Sequence, residues 1–281
     1  MTEEELEEKS VEQASKLAPT TVYEIIRRDG EEELERSNTS LFWSGISAGL
    51  MISFSVLGEA IFRTYLSDTP SRYLIENLGY SLGFVAVITG RMQLFTENTI
   101  TTVLPLLQRP CWAIAQRTLV LWGLVLMANV IGAFLVATFY AYSGAIGADL
   151  LASFHALSEH ATGMPAGEGF VRAIPAGVIV AAIVWMLPQA GPLGLFIVVL
   201  FTWLIAAGDF THIVAGSVEM AFLVVQGDLG FGQAVFGFFL PVLAGNVLGG
   251  TVIFAMLAWG QVKVEVKSRR DHAPLFHLDL R

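Results

Sequence analysis

Long apolar runs alternate with short polar segments along the chain, and these runs predict membrane-crossing helices. Each run has about twenty residues or more, roughly the length that a helix needs to cross the hydrocarbon core of a bilayer. We therefore predict an all-α membrane protein with six transmembrane helices. The predicted spans are residues 41–62, 78–107, 119–142, 170–187, 193–225 and 231–259.

Two of these spans, residues 78–107 and 193–225, are longer than a single crossing requires. Each contains a polar break, at residues 94–98 in the first and 208–212 in the second. Irregular backbone persists at membrane depth only inside protein or along a water-filled cavity, because an unpaired backbone group is costly in hydrocarbon. Broken helices place half-helix ends around a solute near the bilayer midplane. The breaks therefore predict the path of a small solute.

The breaks belong to a predicted internal repeat. Asn129 and Asn246 lie in similar short motifs of the third and sixth spans, 117 residues apart. The same spacing added to Thr96 gives Ile213, next to His212 in the second break. This agreement predicts a duplicated three-span unit. Because three is odd, the second copy enters from the opposite face, which gives an inverted, aquaporin-like repeat.

Polar segments flank the predicted 41–260 membrane domain. We expect residues 1–40 to form an acidic cytoplasmic extension that packs loosely, with an amphipathic helix that Pro19 ends. The apolar positions of that helix are Val11, Ala14, Leu17 and Ala18. We expect residues 261–281 to form a basic cytoplasmic tail.

Arginine positions predict the orientation in the membrane. An even number of spans places both termini on one side. Arg109 and Arg117 lie between spans two and three, whereas the segment after span three has no Lys or Arg before Arg172. The positive-inside bias then places both termini in the cytoplasm, although Arg63 and Arg72 between spans one and two count against it.

Composition supports a membrane protein and excludes several classes of function. The chain has 281 residues, of which 54% are hydrophobic and 15% charged, well below the charged fraction of soluble domains. The net charge of −9 gives nucleic-acid binding no electrostatic support. The single Cys111 excludes an internal disulfide and a thiolate metal cluster. The polar, acidic N-terminus does not resemble a cleavable signal peptide.

Two motifs have ordinary interpretations. Residues 45–49 match the glycine-serine-glycine pattern of a hydrolase nucleophile, but they lie within an apolar helix, where glycines four apart favour close helix packing. His155, Glu159 and His160 share a helical face without an evident third ligand, so a surface helix is favoured over a metal site. We expect neither a metal nor a cofactor.

The second break carries the most informative side chain, His212. A histidine that faces lipid is costly, so we expect it to face the interior, either as a structural group or as a proton-exchanging or anion-attracting group. Thr96 offers a hydroxyl that can donate to an oxyanion without adding charge. Leu94, Phe95 and Phe210 flank the breaks and can form apolar constrictions that exclude hydrated ions.

Charged residues near the first break leave two interpretations open. Arg91 is expected to pair with Glu97, or with Glu59 or Asp209 on another span, because buried charges are normally paired. Such a pair can be structural, or Arg91 and Glu97 can contact the solute. The sequence does not decide between these interpretations.

At these residues the chain resembles the formate/nitrite transporter family, in particular a YfdC-like branch of it. The matching motifs are Leu94-Phe95-Thr96 with Asn98, Phe210-Thr211-His212, Asn129 with Gly132, Asn246 with Gly249 and Gly250, and Phe170-Val171-Arg172. The resemblance covers about residues 38–260. It implies an aquaporin-like six-span fold, a homopentamer with one pore per protomer, and a multi-pass location in a bacterial inner (cell) membrane among its lipids.

The resemblance also implies a function. Members move small monovalent anions of weak acids, and the central histidine is expected to supply a proton so that the solute crosses as a neutral acid or a proton-coupled pair. A neutral acid loses far less hydration energy than its anion on entering an apolar constriction. Three positions depart from the family pattern: Gly177 and Gly216 stand where asparagines are usual, and Thr211 stands where glutamate is usual.

Three functions follow from these observations, and none is an enzyme activity. The first is a channel or proton-coupled transporter for small monovalent weak-acid anions. The second is a facilitator of a small neutral solute, which the aquaporin-like fold and the apolar constrictions favour. The third is a non-conducting scaffold or sensor, suggested by the charged approach to the first break and by the missing asparagines.

Overall fold

The computed structural model of the chain describes residues 17–272, and its regular elements are helices. The first half comprises α1 Pro19–Glu35, α2 Asn38–Met51, α3 Ser53–Tyr65, α4 Arg72–Glu76, α5 Ser81–Thr89, α6 Phe95–Thr101, α7 Val103–Gln108 and α8 Trp112–Tyr142. The second half comprises α9 Ala148–Thr162, α10 Ala166–Ala190, α11 Gly194–Ala207, α12 Ile213–Gln226, α13 Leu240–Val247 and α14 Met256–His272. Short 3₁₀ segments precede α5 and α11, and π-helical segments flank α13.

Within residues 17–272, four continuous helical runs are long and apolar enough to cross a membrane: Asn38–Tyr65, Trp112–Tyr142, Ala166–Ala207 and Gln233–Val266. Ile213–Gln226 is a shorter apolar helix. The prediction of an all-α membrane protein is confirmed. The six spans and their inverted repeat stay a prediction, although the two breaks are present.

The run Ala166–Ala207 has 42 residues, about twice the length of one crossing. It turns at Gly191, whose φ of 47° and ψ of −127° favour glycine. Helices α10 and α11 pack against each other on either side of this turn. The predicted connection at residues 188–192 is therefore shorter than expected, because Pro188 still lies within α10.

Helix α1 corrects the expectation for the N-terminal segment. Pro19 begins this helix rather than ending one, because the missing proline N–H is not needed in the first turn. Tyr23 is fully buried, donates a 3.2 Å hydrogen bond to the Leu104 carbonyl, and has its ring 5.3 Å from that of Trp259. A loosely packed extension is therefore wrong for Pro19–Glu35. Residues 11–16 of the predicted amphipathic helix lie outside the described residues.

Arg117 of α8 fixes the junction between α1 and α2. Its guanidinium donates to the carbonyls of Leu34 at 2.7 Å and Arg36 at 2.6 Å, and to Asn38 Oδ1 at 2.6 Å. A guanidinium suits this role because its several N–H donors diverge in fixed directions. The arginine that served as an orientation signal therefore also anchors α1 on the membrane helices.

The segment after α8 contains helix α9 and both outer histidines. His155 Nε2 lies 2.9 Å from Asp228 Oδ2, and His160 Nε2 lies 2.9 Å from Asp209 Oδ1. Within residues 17–272 no group of three or more His, Cys, Asp and Glu side chains is arranged to hold a metal ion. The two histidines therefore tie α9 to the segments that follow α11 and α12.

Candidate solute pore

Both predicted breaks are interruptions between helices. The first separates α5 from α6 at residues 90–94, and the second separates α11 from α12 at residues 208–212. Arg91 and Asp209 occupy equivalent places and have positive φ values of 50° and 54°, which are uncommon for residues other than glycine. The first break begins earlier than the sequence predicted, so Thr96, Glu97 and Asn98 lie in the first turns of α6.

Two buried asparagines hold the breaks in place. Asn129 accepts a hydrogen bond from Phe95 N at 3.0 Å and donates to the carbonyls of Gly45 and Gln93. Each asparagine thus satisfies backbone groups that a broken helix leaves without partners. The equivalent bonds of Asn246 join Ile213 N at 2.8 Å and the carbonyls of Ala173 and Thr211 at 2.8 and 3.0 Å.

These bonds refine the alignment of the two halves. Phe95 and Ile213, the residues whose N–H groups bond the asparagines, are 118 residues apart, one more than the asparagines themselves. Leu94 and His212 therefore occupy equivalent places. Their backbone angles agree closely, with φ −103° and ψ 123° at Leu94 and φ −107° and ψ 126° at His212. The sequence alignment that paired Thr96 with Ile213 is wrong by one residue.

The structure brings the two predicted polar groups together. Thr96 Oγ1 lies 2.7 Å from His212 Nε2, and both side chains are almost wholly buried. His212 Nδ1 accepts the Ala215 backbone N–H at 3.3 Å, so the neutral ring carries its hydrogen on Nε2 and donates to Thr96. The threonine hydroxyl hydrogen then remains available to a solute. The Phe84 ring packs edge-on at 4.9 Å and fixes the imidazole plane.

A cavity of about 170 Å³ reaches His212 from the side of α9, and we call it the His212 cavity. Phe210, Thr211 and His212 line it together with side chains of α3, α4, α9 and α12. The Thr211 hydroxyl is buried and has no hydrogen-bond partner among the described residues. Thr211 and Phe210 therefore line the same cavity as His212, and their contact with a solute stays a prediction.

A second cavity, of about 570 Å³, lies between α1 and the first break, and we call it the α1 cavity. Arg91, Gln93, Glu97 and Asn98 all line it, with acidic side chains of α1. One Glu97 oxygen and Asn98 Oδ1 are buried and unpartnered within the described part of the chain. Arg91 and Glu97 therefore face this cavity, which the sequence left undecided.

The two cavities share no lining residue. Leu94 and Phe95 are 0% and 2% exposed and line neither cavity. The Phe95 ring packs edge-on against Trp122 at 5.7 Å. Leu94 and Phe95 are thus closely packed next to Thr96 in the sequence, and their role as an apolar constriction stays a prediction.

The predicted pairing of Arg91 is wrong. Arg91 is exposed and makes no ion pair with the side chains that the structure describes, whereas Asp209 is bound by Arg172 and His160. The left-handed backbone of Arg91 directs its side chain toward α1 rather than toward Glu59 or Asp209 across the molecule. Its charge therefore acts on the acids of α1.

Burial at the α1 cavity changes the pKa of two of these acids. Burial raises the pKa of the Glu33 carboxyl, and the nearby Arg36 and Arg91 and a hydrogen bond from Gln93 oppose this only partly. Burial likewise raises the pKa of Asp29, which Arg91 again partly opposes. Because Glu33 accepts from the Gln93 amide, α1 is joined directly to the segment that leads into the first break.

Two glycines stand where the family pattern has asparagines, and packing explains both. A Cβ added to Gly177 would lie 2.3 Å from the Asn246 backbone oxygen, so α10 and α13 cross here with no room for a side chain. A Cβ added to Gly216 would lie 2.5 Å from the Phe238 ring. Close helix crossing and an aromatic ring therefore take the space that amide side chains would need.

We expect Gly177→Ala to destabilise the protein by about 2 kcal/mol or more, because the new methyl group meets backbone that cannot rotate away. The measurement is thermal unfolding of the purified protein in detergent. Gly123→Ala is the matched control, since nothing lies within 4 Å of a Cβ at this helical site and alanine suits a helix better than glycine. Equal melting temperatures for the two variants would contradict the close crossing.

Sequence analysis missed one residue of this site. Glu219 lies on α12, lines the His212 cavity and is 9% exposed. The available signal was a single acid within an otherwise apolar segment, Ile213–Gln226, which marks a functional candidate in a membrane protein. Glu59 was considered only as a partner for Arg91, yet it lines the same cavity.

The comparisons with known proteins agree with this geometry. The formate/nitrite transporter family model matches residues 20–260. The chain belongs to this family. As a member, it is a membrane channel or transporter of the formate/nitrite type rather than an enzyme. The matched region begins within α1.

Individual relatives extend this result. The chain is 42% identical to the inner membrane protein YfdC of Escherichia coli (strain K12) over 249 residues. This aligned region covers 89% of this chain and 80% of that protein. A pentameric formate channel with formate bound has the same fold, with a TM-score of 0.70 and 21% identity over 80% of this chain and 98% of that one. An FNT family ion channel also has this fold, with a TM-score of 0.73 and 17% identity over 86% of this chain and 99% of that one.

Proposed function

We propose that this protein is a channel or proton-coupled transporter for small monovalent weak-acid anions such as formate or nitrite. The observation that carries the proposal is the contact between Thr96 and His212, which joins the two breaks at the end of a cavity. A hydroxyl with a free hydrogen at this point can donate to a carboxylate or nitrite oxygen without adding charge. The formate held by the structurally similar pentameric channel supports this class of solute.

The proposed passage is that of a neutral acid. A small anion enters the His212 cavity, accepts a hydrogen bond from Thr96 and takes up a proton before it passes Leu94 and Phe95. A neutral acid pays little desolvation energy at this apolar constriction, whereas a bare anion pays a large one. The closed packing of Leu94 and Phe95, each at most 2% exposed, supports passage without a hydration shell.

We also propose the assembly and location. A homopentamer with one pore per protomer agrees with the pentameric relative, and it explains the many large apolar side chains exposed on the single chain, such as Phe139, Leu195 and Phe236. Lipids cover the remaining apolar surface. The inner membrane location of the YfdC relative supports a bacterial inner membrane. The positions of Arg109 and Arg117 support cytoplasmic termini.

The test is a flux screen of purified protein in liposomes. Formate, nitrite, lactate and acetate are compared at one acidic and one neutral pH, with internal pH reported by a trapped dye. We expect uptake of at least one acid to be faster than in empty liposomes and to move protons inward with it. No flux for any acid at either pH would overturn the proposal and favour a scaffold or sensor.

A second candidate, a facilitator of small neutral solutes, is favoured by Glu59 and Glu219, which line the His212 cavity, have no ion-pair partner among the described residues, and repel anions when they are ionised. Osmotic swelling of the same liposomes distinguishes the two functions. Swelling with a neutral solute such as urea, independent of any pH gradient and without weak-acid flux, would establish the second candidate instead.

A further inference from the structure

Two acidic side chains, Glu59 of α3 and Glu219 of α12, line the His212 cavity. They are 6% and 9% exposed, they line the same cavity, and their two helices pack against each other. Neither carboxyl makes a hydrogen bond or ion pair with any residue in the described range 17–272. The established contact of Thr96 with His212 uses neither of them.

The other acids of this cavity differ because each has a cationic partner. Glu76 lies 3.6 Å from Arg63 and 3.3 Å from Arg72, and Asp209 is bound by Arg172 and His160. Buried carboxylates are normally paired in this way, since an isolated ion in a membrane protein is costly. The titratable and charged groups that face the two glutamates are Arg63, Tyr73, Glu76, Tyr80, His160, Arg172, Asp209 and His212.

The same cavity has a further unpartnered polar group, the hydroxyl of Thr211. The Thr211 hydroxyl is buried, lacks a hydrogen-bond partner among the described residues, and lines the cavity beside His212. A solute oxygen in this cavity thus meets one hydroxyl with unused capacity and two carboxyl groups. The cavity volume of about 170 Å³ accommodates a small acid with a few waters.

His212 is poorly arranged to hold an extra proton. Its Nδ1 accepts the Ala215 N–H at the start of α12, so a second ring proton requires that this bond breaks. Its Nε2 hydrogen is directed to Thr96. The imidazole is therefore arranged as a neutral link in a hydrogen-bond chain, and the proton for a weak acid must come from another group.

We propose that Glu59 and Glu219 form a proton-loading site, in which one of the two carboxyl groups holds a proton and transfers it to the weak-acid anion in the His212 cavity. The carboxyl O–H bond breaks, the proton bonds to an oxygen of the anion, and a glutamate carboxylate remains. A hydronium ion from the open end of the cavity returns the proton. This proposal rests on the proposed function for its solute.

The first test asks whether the site holds a proton, independently of transport. Infrared spectra of the purified protein at neutral pH are compared for wild type, the double variant Glu59→Gln/Glu219→Gln, and Glu97→Gln as the control from the α1 cavity. We expect a protonated-carboxyl band that shifts in deuterium oxide and loses intensity in the double variant, and the same intensity should be lost when the double substitution is made in the Glu97→Gln background. A band whose intensity the double substitution leaves unchanged would overturn the proposal.

The second test measures proton-coupled formate and nitrite uptake in liposomes. We expect the double variant to lose at least about tenfold in uptake at neutral pH and less at acidic pH, where the undissociated acid brings its own proton. Glu159→Gln, an exposed acid on α9 outside the cavity, should match wild type. An unchanged pH profile in the double variant, or uptake that instead requires Na⁺ or K⁺, would refute proton loading.

These two tests separate the proposals from each other. The infrared band does not depend on any solute, so a band that the double variant loses, together with no weak-acid flux in wild type, supports the proton site while the proposed function fails. Normal wild-type flux without the band leaves the function intact and overturns the proton site.

Discussion

His212→Phe is expected to abolish proton-linked uptake of formate or nitrite, with a loss of at least about a hundredfold in liposomes. The substitution removes the hydrogen bond to Thr96 and places a larger apolar ring beside Phe84, at the end of the His212 cavity. The threonine hydroxyl then loses its partner, and the path narrows where the solute must lose water. The measurement is initial uptake, normalised to the amount of folded protein in the liposomes.

The control for this variant separates the site from the helix that begins there. The His212 ring also accepts the Ala215 N–H, so its removal weakens the start of α12. His212→Asn retains an oxygen that can accept this bond, because asparagine is a favoured N-cap residue. We expect His212→Asn to unfold near the wild-type temperature while its uptake is still impaired. Full uptake in His212→Phe would eliminate the proposed role of this residue.

Asn246→Leu is expected to destabilise the protein by about 3–5 kcal/mol, because it leaves one N–H and two carbonyl groups buried without partners. Those groups belong to Ile213, Ala173 and Thr211, so the second break loses its connection to α10. The measurement is the unfolding temperature in detergent together with the fraction that elutes as an intact oligomer.

Thr138→Val is the control for this loss of hydrogen bonding. Thr138 is exposed on α8 and donates one bond to the Phe134 carbonyl of its own helix, so its removal leaves no buried group unpaired. We expect a change of less than about 1 kcal/mol. Asn129→Leu should resemble Asn246→Leu, since its three bonds are equivalent. A wild-type unfolding temperature in both asparagine variants would show that the breaks do not depend on these bonds.

Much of the site was predictable because it depends on the residue types within short segments of the sequence. A polar cluster inside an apolar run of about 30 residues is compatible with few structures in lipid, so the breaks followed from composition and length. His212 and Thr96 stood out because polar groups are rare in such runs. The repeated asparagine motif indicated that two breaks 118 residues apart are related, although its spacing placed them one residue out of register.

Other features depend on which side chains meet across the fold. The pattern of residues 1–40 was typical of a polar tail, yet α1 buries Tyr23 against Leu104 and Trp259, which lie far from it in the sequence. Arg91 was expected to form an ion pair with a buried acid, but its left-handed backbone angle directs the side chain toward α1. Neither docking nor a backbone angle of this kind is encoded in hydropathy.

The sequence by itself determined that this chain crosses a membrane as helices, that two of the helices break, and that His212 and Thr96 belong to those breaks. These conclusions follow from the energy of polar groups in hydrocarbon, which depends on local composition. Only the tertiary structure decided that Gly177 is a crossing point of two helices and that Glu59 and Glu219 share one cavity. Those outcomes depend on distances between remote helices, and close packing of their side chains and backbones sets such distances.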